Sequence, residues 1–349
     1  MDGKNQTHSS TDDTRSAPSR LRQAGAAHPR VGVSACLLGQ AVRYDGAHKR
    51  DAFLCEHLAP YVEWVAVCPE AEAGLGVPRE PMRLVETAPG GGPRLVGIDS
   101  QRDYTALLEA WAAARLATLE PLRLDGFVLK KRSPSCGLAP IPIYPESGGP
   151  PVLRAAAGLF AAALARAHPA LPLCDEARLR RLPFRESFLC RIFTHCRLRK
   201  AVLLAPSRAA LVAFHASHEL LFRAHYPRGE RELARLAAAA ADPPPPDTLE
   251  RYRAGAMSVL AATASRARHA AVLRQVAARF APLLSPAAAQ ELAALIDGYA
   301  AATRARAVPL SFLVERLRRR GLARWLAGQA YFHPFPEALS PRRPSASDQ

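Results

Sequence analysis

Three cysteines follow three short apolar runs, and this spacing limits what the chain can fold into. "VGVSAC" covers residues 31–36 and "YVEWVAVC" covers 61–68; "DGFVLK", 125–130, is followed within a few residues by Cys136. Valine and aromatic residues dominate the runs, as in buried strands. Helical patterns lie between them at roughly 48–59 and 101–119, and another, "VLRAAAGLFAAALARAH", follows the turn signals of "PESGGPP". "APGGGPR" reads as a surface turn. Strands alternating with helices predict a mainly parallel sheet in an α/β domain. The functional crevice of such a sheet lies beyond the carboxyl ends of its strands.

Past about residue 174 the pattern changes to Ala/Leu/Arg segments at 187–204, 206–225, 229–241, 247–279, 286–304 and 309–329, broken at "ADPPPPDT", where proline cannot continue a helix. The expected architecture is a disordered N-terminal tail (1–28), an α/β domain (29–173), an all-α helical domain (174–340) and a disordered C-terminal tail (341–349). The N-terminus has no apolar stretch of the secretory type, and no uncharged apolar run is long enough to span a membrane. The expected compartment is the cytoplasm, and the odd number of cysteines, seven, argues against a pure disulfide framework.

Charge divides the chain. Residues 1–170 carry a net +2 and residues 171–349 the remaining +14 of the total +16. One half is therefore suited to a polyanion, although arginine also serves as a solubilising helix former. The densest basic segments contribute Arg191, Arg197, Arg199 and Lys200 in "CRIFTHCRLRK", and Arg318, Arg319 and Arg320 in "ERLRRRGLARW". These are the candidate RNA-binding residues. His215, His218 and His225 share one helical face, where structural hydrogen bonding is the better reading than metal binding.

Taken singly, Cys36, Cys68 and Cys136 each read as core packing. Their common placement, after a strand and at the start of a Gly-, Pro- or Ser-rich loop, favours one shared site. Separations of 32 and 68 residues match neither a zinc finger nor a ferredoxin run. Thiolates gathered from distant loops select soft metals and iron–sulfur clusters. A cubane held by three cysteines keeps one iron open, and an open metal acts as a Lewis acid. Glu70, two residues after Cys68, can reach the same pocket. Ser133 and Ser135 precede Cys136, "VRYDG" supplies Arg43, Tyr44 and Asp45, and Arg79 can orient Glu70. Cys55, Cys174, Cys190 and Cys196 read as packing residues or free thiols.

"VSACLLGQAVRYDG", "CPEAEAGLGVPREP" and "LKKRSPSCG", in that order, resemble the thiouracil desulfidase family over about residues 30–172. The resemblance implies a 4Fe-4S cluster on Cys36, Cys68 and Cys136 with its fourth iron open, and Glu70 and Ser133 as the catalytic pair. It implies removal of sulfur from a thiolated pyrimidine without net redox change. Asp45 is a further candidate, for proton transfer. "LVAFHASHELLFRAH" and "WLAGQAYFHPFPEAL" resemble a helical domain found fused to this desulfidase, an arrangement similar to tRNA 4-thiouridine desulfidases. This implies tRNA as partner and 4-thiouridine as substrate. Two features depart from that pattern, Glu219 where a lysine is expected and "VERLRRR" in place of a His-rich stretch. Two alternatives stay open: a desulfidase of free thiouracil or thionucleosides, and a non-enzymatic iron–sulfur or zinc RNA-binding sensor.

Overall fold

The computed structural model describes residues 28–87 and 92–340. The expected C-terminal tail, the expected N-terminal tail apart from its last residue, and the first four residues of "APGGGPR" lie outside the described residues.

Four parallel strands form the first sheet: β1 (Arg30–Ser34), β2 (Glu63–Val67), β5 (Gly126–Leu129) and β8 (Leu173–Asp175), in the order β2-β1-β5-β8. Val31 stands opposite Trp64 on one side and Gly126 on the other. β5 is buried along its whole length, which explains its unbroken apolar sequence. Gly32 is required by packing, because a Cβ there would lie 2.2 Å from the Phe127 ring. The chain leaves β1 toward β2 and later returns to pair β5 on the other side. Loops diverge at such a switch and open a crevice at the carboxyl ends of the strands.

A second sheet was not foreseen. It comprises β3 (Met82–Val85), β4 (Arg94–Gly97), β6 (Ile141–Tyr144) and β7 (Leu153–Ala156), in the order β4-β3-β6-β7. β7 occupies the start of the segment expected to be helical. Pairing with β6 overrides the helix propensity of its alanines. Helix begins only after Gly158, as α3 (Leu159–Ala167). A Cβ on Gly158 would meet the backbone of Ser135 at 2.6 Å, so this glycine lets α3 approach the loop of the third cysteine.

The C-terminal region is helical as expected. After the short α4 (Glu176–Leu179) come α5 (Leu182–Leu198), α6 (Arg208–His225), α7 (Pro227–Ala238), α8 (Pro246–Ala261), α9 (Arg266–Arg279), α10 (Pro286–Ala300), α11 (Ala307–Arg319) and α12 (Ala323–Gly328). The single helix expected over 247–279 is two. Ser265 begins the second by accepting a hydrogen bond from the Arg268 amide. The helix expected over 309–329 is interrupted at Gly321, whose φ of +79° ends it.

α5 packs on the sheet, with Ile192 against Gly126. One apolar core runs from Val31, Val33 and Val128 through Phe188 and Ile192 into the helices around Tyr252 and Leu273. The other sheet face is covered by α2 (Thr105–Leu119) and α3, with Phe127 against Phe160. Among the described residues, no helix is long and apolar enough to cross a membrane.

A buried carboxylate joins the sheet to α5. Asp125, 0% exposed, accepts from the Arg30 amide at 2.9 Å, from Arg199 at 2.6 and 3.0 Å, and pairs with His195 Nδ1 at 2.9 Å. Burial pushes the Asp125 pKa up, but the hydrogen bonds from His195 and Arg199 outweigh it and the net shift is downward. The stability it contributes is therefore complete above the ordinary aspartate pKa of about 3.9 and is lost as pH falls through the lower folded-state value. Urea midpoints measured from pH 6 to pH 3 should fall less steeply below pH 4 in Asp125→Asn than in the parent.

Candidate functional site

The three sequence-selected cysteines lie at the carboxyl ends of three adjacent strands. Cys36 sits in the turn Ala35–Leu38 directly after β1. Cys68 follows β2 and precedes α1 (Pro69–Glu72). Cys136 lies in the loop after β5. Cys36 and Cys136 are buried and Cys68 is half-buried. The sulfurs are close enough to influence one another. Burial first, then Cys136 and Cys68, push the Cys36 thiol up to about 12, while Lys130 and Arg43 pull the other way. Burial and then Glu70 raise Cys136, opposed by hydrogen bonds from Ser133 and Ser34. Burial leads again at Cys68, where Glu70 and Cys136 also raise it.

Neighbouring groups fix the sulfurs. The Ser34 hydroxyl lies 3.4 Å from Cys136 Sγ and accepts from the Lys130 amide at 2.9 Å. Cys68 Sγ faces the Val42 carbonyl at 3.7 Å. Lys130 also pairs with the buried Glu176. "KKRSPSC" therefore brings one of its lysines to the cysteine pocket with its charge already matched.

Glu70 stands beside the thiols, its two oxygens in different surroundings. Arg79 donates to Oε2 from Nε at 3.0 Å and again from Nη2. The same guanidinium donates to the Val42 carbonyl at 3.1 Å and the Gly76 carbonyl at 2.9 Å. Arg79 thus fixes the carboxylate and ties it to the loop that follows the first cysteine. Oε1 accepts from Ser135 at 2.6 Å and faces Ser133 at 3.5 Å; the two hydroxyls are 3.0 Å apart. Ser133 Oγ also accepts from the Cys136 amide at 3.2 Å.

The sequence reading put Ser133 ahead of Ser135, whereas the structure gives Ser135 the shorter bond to Glu70. Ser135 is 0% exposed, so its hydroxyl must be bonded within the protein. Asp45 is exposed and bonded to Arg43 at 3.2 Å and to the Ala47 amide at 3.1 Å.

The basic candidates disperse. Lys200, Arg318, Arg319 and Arg320 are exposed, while Arg191 and Arg197 are half-buried. Arg199 must be removed from the RNA-facing set. It is 5% exposed and its guanidinium is bound to Asp125, where the desolvated ion pair would be lost on reaching a phosphate. The histidines of α6 are hydrogen-bonded within the fold, His215 to the Tyr252 hydroxyl, His218 to the Phe214 carbonyl and His225 to the Ala262 carbonyl.

Residues 31–176 match the family model described as 2-thiouracil desulfurase. The chain belongs to the 2-thiouracil desulfurase family. All three cysteines, Glu70 and both serines lie within the matched segment. Residues 219–336 match a second model, a protein family of unknown function, DUF1722. The uncharacterized protein YbgA of Escherichia coli (strain K12) is 30% identical over 160 residues, 46% of this chain and 94% of that protein. The uncharacterized protein YbbK of Bacillus subtilis (strain 168) is 33% identical over 109 residues, 30% of this chain and 71% of that protein. A solved structure described as the 4Fe-4S-dependent thiouracil desulfidase TudS is 32% identical, covering 46% of this chain and 98% of that chain, with a TM-score of 0.37.

The donor set suits an iron–sulfur cluster. Among the described residues, no three His, Cys, Asp or Glu side chains are grouped to hold a metal ion. A cubane makes a different demand from a single ion, since each thiolate takes its own iron and the ligands stand apart around the cluster. Burial leads in raising all three thiols, with Glu70 adding to it at Cys68 and Cys136 and the other two sulfurs adding to it at Cys36, so a cation entering among them favours the thiolates that a cluster needs. The residues present fit the group.

Proposed function

We propose that the chain removes sulfur from thiolated uracil by hydrolysis, and that its substrate is 4-thiouridine in tRNA, which becomes uridine with release of hydrogen sulfide. The observation that carries this reading is the Arg79–Glu70–Ser135–Ser133 constellation placed against three cysteines at one sheet edge. Cys36, Cys68 and Cys136 would hold a 4Fe-4S cluster, whose fourth, protein-free iron supplies Lewis-acid affinity for a thiocarbonyl sulfur.

The chain's own residues handle the water. Glu70 Oε1 has lone pairs beyond the one taken by Ser135, and this oxygen accepts the proton of a water aimed at the thiocarbonyl carbon. Arg79 occupies Oε2 and holds the carboxylate plane, so the basic oxygen stays on the serine side. Ser133, anchored by the Cys136 amide, bonds to the water or to the substrate's ring. Exchange of C=S for C=O consumes one water and releases one hydrogen sulfide, so no electron donor is needed.

The +14 charge of residues 171–349 and the exposed Lys200, Arg318, Arg319 and Arg320 support a tRNA-borne substrate. The family's description favours a second reading, the free thiobase. Anaerobically reconstituted protein assayed on 4-thiouridine-containing tRNA and on free 2-thiouracil separates them. The tRNA is expected to be desulfidated with the higher kcat/KM. Its affinity is expected to fall by ten-fold or more between about 50 and 200 mM salt, because several phosphates are neutralised. Preference for the free base with salt-insensitive tRNA binding would overturn the tRNA reading.

A further inference from the structure

Two adjoining cavities open on the helical half, on either side of Glu219 of α6. The first, of about 480 Å³, is lined by His215, Glu219 and Arg223 of α6 and by Glu230, Arg231 and Arg235 of α7. The second, of about 290 Å³, reaches from α6 to α9 and α12, with Trp325, Gln275, Gln329 and Arg279 among its lining. Glu219 lines both.

The first cavity has donors to spare. Arg223 is bound to Glu219 at 2.5 Å and to Glu230 at 3.2 Å. Arg231 and Arg235 lie one turn apart on α7, and among the described residues neither has a carboxylate within 4 Å. His215 Nε2 is buried and faces the Glu230 carboxylate at 3.6 Å, so it is held by that acid. Two arginines without a carboxylate partner suit a phosphate group.

The second cavity has a different chemistry. The half-buried Trp325 indole lines it, packed edge-on against Phe280 and Phe332 and with the Arg279 guanidinium 5.7 Å from its ring centre. Gln275 carries an amide that donates and accepts as the edge of a nucleobase requires, and Gln329, which donates to the Ala216 carbonyl at 3.5 Å, keeps its second N–H and its oxygen for the same edge. Between the two cavities, Glu219 gives one oxygen to Arg223 and leaves Oε2 for another donor. A carboxylate in that position is a suitable acceptor for ribose hydroxyls.

We infer that these cavities form one ribonucleotide subsite, with phosphate at Arg231 and Arg235, ribose at Glu219, and base beside Trp325, Gln275 and Gln329. The inference deepens the RNA reading above and rests on it for the source of the nucleotide, an RNA strand. The net positive charge of this half and the solvent-facing Arg231 and Arg235 favour a strand over a free nucleotide.

The test is binding of full-length protein to unmodified, fluorescein-labelled tRNA, which needs no desulfidation. In the double variant Arg231→Glu/Arg235→Glu, both surface positions, tRNA affinity at 0.15 M salt is expected to drop at least ten-fold, with a shallower salt dependence. In Gln275→Ala, also exposed, the drop is expected to be about two- to ten-fold, and Glu219→Ala is expected to narrow the preference for RNA over DNA of equal length. Circular dichroism of each variant must match the parent. A charge-reversed protein that is correctly folded and binds tRNA like the parent overturns the subsite, as does a parent that does not bind tRNA. UMP that quenches Trp325 fluorescence and is not displaced by tRNA overturns the strand as source. A parent that binds tRNA but leaves its sulfur in place refutes the proposed reaction and leaves the subsite intact.

Discussion

Glu70→Gln is expected to lower turnover of a thiolated uracil by about a hundredfold to ten-thousandfold, the usual loss when a positioned general base is removed. The amide has the size of the carboxylate. Its oxygen can still accept from Arg79, and its NH₂ can donate to Ser135, whose hydroxyl reverses role. The three cysteines keep their places, so anaerobically prepared variant protein is expected to retain the parent's iron content and brown colour. Removing the negative charge leaves the Arg79 guanidinium, 6% exposed, without its counter-charge, so some stability is lost as well. Activity must therefore be measured well below the melting temperature. Ser135→Ala provides a second measurement, because it frees Oε1 without removing the base and is expected to cost less than Glu70→Gln. Loss of the cluster in Glu70→Gln would show that the carboxylate supports the metal site instead of the water.

Asp125→Ala carries the largest expected change in stability. It leaves the Arg199 guanidinium, the His195 ring and the Arg30 amide without their common acceptor, and breaking a buried ion pair in this way costs about 3–5 kcal/mol. One apolar core crosses from the sheet into the helices, so the fall in urea midpoint should be the same whether it is followed by far-UV circular dichroism or by tryptophan fluorescence. Arg199→Met is expected to destabilise as well, and the double variant by less than the sum, because the two residues share one interaction. Asp125 lies just before the amino end of β5 and the cysteines lie beyond the carboxyl ends, so kcat/KM per folded molecule is expected to hold. Additive losses would show that Asp125 and Arg199 act independently.

Residue type and order revealed the catalytic half of the fold more clearly than its supports. The strands of the first sheet leave short valine-rich apolar runs, and cysteines at or just beyond their ends are conspicuous, so Cys36, Cys68 and Cys136 could be placed before any coordinates. The second sheet was hidden because its strands lack an unbroken apolar run. β6 contains Pro142, and β7 reads "LRAA", a sequence that favours helix until β6 pairs with it. Arg199 was misplaced because "CRIFTHCRLRK" looks like a solvated basic face. Its partner Asp125 is 74 residues away in the sequence, and only the fold brings them together. The choice between Ser133 and Ser135 turned on which hydroxyl points at Glu70, a matter of loop conformation that composition does not carry.

Iron and acid-labile sulfide per chain, measured after anaerobic reconstitution of the parent and of Cys36→Ser, Cys68→Ser and Cys136→Ser, bear most directly on the central claim. The account predicts about four of each in the parent, together with a spectroscopic shift when thiouracil is added, and loss of the intact cluster in all three variants. A parent that takes up only zinc, or a full cluster that survives replacement of any of the three cysteines, would contradict it.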